Sequence, residues 1–90
     1  MMKELIELGE RIRRERIANG TKQRDLANKA AVSTDVISAL ENGRSVSTDS
    51  LTKVLRALGQ SEALINLIPP PVVSPIDLQK LAGKQRQRVR

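Results

Sequence analysis

The chain contains no cysteine, no histidine and no aromatic residue of any kind. Without cysteine there is no disulfide and no thiol nucleophile. Without histidine as well, zinc sites of the usual kind and imidazole acid–base catalysis are excluded. The missing aromatics argue against a reader of single-stranded nucleic acid, because such proteins stack bases on aromatic rings. They also oblige the core to be built from Leu, Ile, Val and Ala. No apolar run approaches the roughly 20 residues of a membrane span, and none has the layout of a signal peptide. A soluble cytoplasmic protein with no membrane partner, no metal and no cofactor is therefore expected.

What is present is a chain of 90 residues, enough for one small domain and a tail. The net charge of +6 favours polyanionic partners, but it is unevenly spread. Residues 1–68 hold eleven basic and nine acidic groups, whereas residues 69–90 hold five and one. Most of the excess charge thus lies outside the expected globular part, residues 1–68.

Apolar and charged residues alternate at helical spacing from Met2 to about Ala18, with Leu5, Leu8 and Ile12 on one stripe and Ile17 near its edge. Glu7 with Arg11 and Glu10 with Arg14 are i,i+4 pairs, and Asn19-Gly20 closes the helix. A second helix is expected from Lys22 to Ala30, and a third from Thr34 to Glu41 behind Ser33 as N-cap. Ser47 then caps a fourth, Thr48–Leu58, closed by Gly59. Ser61-Glu62 starts a fifth through Ile68, whose apolar face is large for its length. Leu64, Ile65, Leu67 and Ile68, with Val72 and Val73, are the candidate dimer interface. Pro69-Pro70-Pro71 forms a hinge, Val72-Val73 a short strand, and Ser74-Pro75-Ile76-Asp77 a new helix start. The last residues, KQRQRVR, form a basic tail. The fold class is all-α: five helices, a proline hinge and a short extension, residues 69–90.

Within this plan, Lys22–Arg44 is the most informative stretch. Two short helices are joined by a tight turn, and the second carries small polar residues on its outer face. Helices so short are stable only when packed into a larger helical core. A major-groove reader has this form, so the segment reads as a helix-turn-helix.

Residues Leu8–Gly59 resemble the Cro/repressor-type, or Xre, helix-turn-helix family. LGERIRRERIANG looks like its first helix, and Gln23, Leu26 and Ala27 fall where its second carries them. Val32-Ser33 opens the reading helix, Leu40-Glu41-Asn42-Gly43 matches its ending, and Ser47–Gly59 is similar to the helix that follows. The resemblance implies that Gln23 hydrogen-bonds a DNA phosphate and that Arg16 and Glu41 form an ion pair tying helix one to helix three. It implies that Thr34, Asp35, Ser38 and Ala39 face the groove, with Asn42 and Arg44 near the backbone. Lys22 and Arg24 are further phosphate candidates, while Arg11, Arg13 and Arg14 read as a solvated helix face from which one could approach the DNA backbone. Two positions depart from the pattern. Lys22 stands where relatives often have a capping Thr, and Ala31 where they often have Gly. A positive φ at Ala31 would cost about 1 kcal/mol.

Positions 34–39 contain no Arg, Asn or Gln, the residues that make bidentate base contacts. Thr34 and Ser38 can bond several bases, and Val36 or Ala39 can touch a thymine methyl. Asp35 either accepts from cytosine N4 or simply stabilises the helix N-terminus. Specificity then leans on DNA shape and on dimer spacing. The expected function is that of a homodimeric, sequence-specific autorepressor on an inverted repeat of double-stranded DNA, acting without catalysis. The layout, one such domain and a tail, also resembles HipB-like antitoxins, which pair with a HipA-like kinase toxin. Leu78 and Leu81 with Lys84, Arg86, Arg88 and Arg90 would then dock the partner. The competing readings are a stand-alone phage or chromosomal repressor, and an interaction adaptor with weak DNA reading. An enzyme built on Asp25 and Glu41 is disfavoured by the lack of a phosphate-binding glycine loop and of length for a pocket.

Overall fold

The computed structural model describes residues 2–68, 70 and 71. Four α-helices follow one another: α1 (Lys3–Ala18), α2 (Gln23–Ala30), α3 (Thr34–Glu41) and α4 (Thr48–Ala57). Among the described residues there is no strand.

Each helix stops in the same way. At its end a left-handed residue lets two backbone N–H groups turn back onto the last free carbonyls, a Schellman arrangement. After α3, Gly43 N–H donates to Leu40 O at 3.2 Å and Arg44 N–H to Ala39 O at 2.9 Å. Gly20 and Gly59 end α1 and α4 alike. After α2 the left-handed residue is Ala31, with φ 60°. The strain expected from the sequence is therefore present at that turn. The starts of α3 and α4 are capped as expected: Ser33 Oγ accepts from Val36 N–H at 3.3 Å and Ser47 Oγ from Ser50 N–H at 3.0 Å. α2 begins without a side-chain cap, and Thr21 Oγ1 donates to Asn19 O instead.

The core is aliphatic throughout. Ile12, Leu26, Ala27, Ala30, Ile37, Leu40, Val54 and Leu58 are buried together, with Leu8, Val32, Val46, Leu51 and Ala57 at its margin. Ile37 and Val54 are wholly inaccessible, so α3 is anchored by one face while its other face stays free. On α1 the inward stripe runs through Gly9, Ile12 and Arg16, spaced i, i+3 and i+7. Ile17 is consequently exposed, and a charged residue takes the inward place that an apolar one would fill. Gly9 is buried because α1 lies directly on the end of α3: a Cβ there would collide with the Leu40 carbonyl oxygen. Gly43 makes the converse contact, since a Cβ on it would stand 2.8 Å from Ile6 Cγ1.

The expected fifth α-helix does not form. Residues 61–64 are turns, followed by one 3-10 turn at Ile65–Leu67 without a side-chain cap. The reason is local. Pro69 disfavours helical backbone at the residue before it, and Ile68 is extended at φ −113° and ψ 114°. Short helices hold only when packed into a core, as α2 and α3 are, and Ile65, Leu67 and Ile68 are exposed instead. Of the apolar residues there, Leu64 is half-buried, whereas Ile65, Leu67 and Ile68 are exposed. Val72, Val73, the Ser74–Leu81 segment and the basic tail lie outside the described residues, as does the proline hinge apart from Pro70 and Pro71.

Candidate nucleic-acid interface

α2 and α3 present their outer surfaces on either side of the Ala31 turn. On α3, Ile37, Leu40 and Glu41 point inward, leaving the ridge Thr34, Ser38, Asn42 and the neighbouring Asp35 and Ala39 on the outer side. Thr34 and Asp35 are exposed; Ser38 and Ala39 are half-buried. Asn42 Nδ2 donates to the Ser38 carbonyl at 2.7 Å, which fixes its amide at the end of the ridge. Lys22, Arg24 and Arg44 are exposed, and among the described residues none of the three makes an ion pair or a side-chain hydrogen bond. These three cations are available to a polyanion.

The end of α3 is tied down by a polar network. Arg16 Nε donates to Glu41 Oε2 at 2.6 Å and Nη2 to Glu41 Oε1 at 3.0 Å, a two-pronged pair. Arg16 Nη1 adds a hydrogen bond to the Thr21 carbonyl at 2.8 Å, so one guanidinium joins α1, the α1–α2 turn and α3. The side chains are 11% and 3% exposed, which makes this a buried pair whose rupture is expensive rather than a surface ornament. The hydrogen bond to Glu41 raises the Arg16 pKa above its ordinary value; burial opposes this, and the carboxylate charge adds to the rise. The pair expected between Arg16 and Glu41 is thus in place.

Gln23 joins this network. Its Nε2 donates to Glu41 Oε1 at 3.0 Å, so the amide is held against the network rather than swinging freely in solvent. One N–H of that amide remains for another acceptor. Glu41 has both oxygens engaged by Arg16 and Gln23, and it does not form an acid–base couple with exposed Asp25. Arg13, Arg16, Gln23, Glu41 and Asn42 line one polar hollow, bringing α1, the start of α2 and the end of α3 to a single place. Of the three arginines on the solvated face of α1, Arg13 is the one that lines this hollow. The available signal was its spacing, three residues before Arg16 and therefore on the same helical face.

Residues 7–68 match the family model described as the helix-turn-helix domain. The chain belongs to that family. No curated protein and no solved structure matches it. Within the helix-turn-helix domain, α2 and α3 are the paired helices and Ala31 lies at the turn between them. A helix-turn-helix domain is the kind of fold that DNA-binding regulators use. No helix among the described residues is long and apolar enough to cross a membrane.

Proposed function

We propose that the protein is a sequence-specific transcriptional regulator that binds duplex DNA as a homodimer and represses its own promoter. The observation that carries this reading is the attachment of α3. Its inner face is buried to the last atom at Ile37, and its C-terminal end is clamped by Arg16–Glu41 and by the Gly9 contact. A helix fixed so firmly, with small polar side chains outward, is suited to major-groove reading, where hydrogen bonds to base edges demand a definite position. The unpaired cations of Lys22, Arg24 and Arg44 flank it and suit phosphates, as does the uncapped start of α2.

Two domains related by a two-fold axis would set their α3 helices in successive major grooves, about 34 Å apart, on an inverted repeat. Leu64 and the exposed Ile65, Leu67 and Ile68, followed in the chain by Val72 and Val73, are the residues assigned to the subunit contact. Repression follows from occupying the polymerase's site, with no chemistry by the protein. The Ser74–Arg90 extension is the docking element for a second protein, and a HipA-like kinase toxin is the partner that the layout suggests. Removal of residues 75–90 then leaves folding, dimerisation and operator binding unchanged.

Substitutions on the two faces test the proposal. Gln23→Ala should weaken binding to all duplexes alike, whereas Thr34→Ala and Ser38→Ala should change the ranking of operator variants. Binding titrations against a small panel of duplexes read both effects. If all three variants keep wild-type affinity and ranking, α3 is not the reading helix and the adaptor reading takes its place.

A further inference from the structure

We infer that the hollow between α1, α2 and the end of α3 is a seat for one DNA phosphodiester, and that Arg13 is its charged ligand. The inference rests on the DNA-binding reading above and adds to it a residue of α1, outside the paired helices.

Charge bookkeeping within the hollow points to Arg13. Five side chains line it: Arg13, Arg16, Gln23, Glu41 and Asn42. The Arg16 and Glu41 charges cancel in the two-pronged pair, and Glu41 is 3% exposed, so its carboxylate offers little repulsion to an incoming anion. Arg13 is exposed, and among the described residues it has no ion pair and no side-chain hydrogen bond. It stands between this hollow and a second shallow one shared with Glu10, Arg14 and Ile17, yet no carboxylate oxygen comes within ion-pair distance of it. The hollow therefore carries one uncompensated positive charge, matching the single negative charge of a phosphodiester.

The neutral lining supplies directed donors. Gln23 Nε2 spends one N–H on Glu41, and Asn42 Nδ2 spends one on the Ser38 carbonyl. A primary amide nitrogen carries two hydrogens, so Gln23 retains one, while the Asn42 amide also donates to Ser38 Oγ at 3.5 Å. These amides are held in place before any ligand arrives, which removes much of the ordering cost of binding. Arg13, Gln23 and Asn42 come from three different parts of the chain and line the same hollow.

Position agrees with chemistry. α3 is eight residues long, so its last residue lies about 10 Å beyond its first. The major groove is about 12 Å wide, and a helix entering it by its N-terminal turn meets the sugar–phosphate wall near its other end. The hollow adjoins that other end. Arg13 then contributes affinity and register but no base discrimination.

The test compares Arg13→Ala with Arg11→Ala, whose side chain pairs with Glu7 at 2.6 Å away from the hollow. Both positions are exposed, alanine is a good helix former, and circular dichroism melting checks that each variant folds. Affinity for one operator duplex is measured from 50 to 200 mM salt. Loss of one phosphate contact should lower the slope of log K against log salt by about 0.9. Arg13→Ala should accordingly lose roughly 3-fold less affinity than wild type over that range, with an unchanged ranking of operators. Arg11→Ala should keep the wild-type slope. An unaltered slope in Arg13→Ala, or equal reductions in both variants, overturns the assignment while leaving DNA binding intact. Wild-type protein without salt-dependent affinity for duplex DNA overturns the DNA-binding reading itself.

Discussion

Replacing Gly9 by alanine distinguishes the packing described here from an ordinary surface helix by the sign of its effect. On an exposed helix the change is favourable by about 1 kcal/mol, because alanine loses less backbone freedom than glycine. Here the new Cβ would collide with the Leu40 carbonyl oxygen and stand 2.9 Å from the Glu41 carbonyl oxygen. Both obstacles are backbone, at the turn that Gly43 and Arg44 close, and neither can rotate away as a side chain would. α1 must lift from α3, which strains the Arg16–Glu41 pair at the same interface. Overpacking of this kind costs about 1–3 kcal/mol, and contact with backbone places Gly9→Ala at the upper end. Set against the propensity gain, the net loss is about 2 kcal/mol. For a domain of this size that lowers Tm by about 8–16 °C. Thermal melting by circular dichroism, with urea titration for the free energy, measures it directly. A rise in Tm would refute the close approach of α1 to α3, and with it the fixed attitude of the reading helix.

Other changes test neighbouring parts of the structure. Ala31→Gly relieves the left-handed φ of 60° and should stabilise by about 1 kcal/mol, seen as a higher urea midpoint without altered operator ranking. Glu41→Ala strips the half-buried Arg16 guanidinium of its partner and should cost about 1–3 kcal/mol, a sizeable part of the stability of so small a domain. The double change Arg16→Met with Glu41→Leu should recover most of that loss while DNA affinity stays reduced, because Gln23 has lost its anchor. Ile37→Ala removes a wholly buried side chain from the only anchored face of α3 and should cost about 2–5 kcal/mol by the same melting assay.

The helices were legible where the sequence punctuates them. Ser33 and Ser47 mark two starts, and Gly20, Gly43 and Gly59 mark three stops, so α1, α3 and α4 agree with expectation to within a residue or two. The Ala31 turn was legible too, because a helix pair so closely spaced leaves the backbone no other route. Residues 61–68 misled because an apolar, capped-looking run suggests a helix. Pro69 overrides that local signal from one position beyond. The site itself was only half legible. Composition and spacing identified the exposed residues of α3 but could not reveal how α1 is rotated, which sets Arg13 beside Gln23 and turns Gln23 onto Glu41. Two signals were available: a glycine inside a helix at position 9, and a charged residue four places after Ile12 on the apolar stripe. Both mark the α1–α3 contact on which the interface depends.

The central claim, that α3 reads duplex DNA, is tested most directly by titrating the protein against the DNA upstream of its own coding sequence. A scrambled duplex of equal length serves as the control, each at several salt concentrations. The account predicts a preference of roughly a hundredfold or more for the upstream DNA, with affinity that falls steeply as salt rises. Equal and weak binding to both duplexes would contradict it, since only phosphates would then be read.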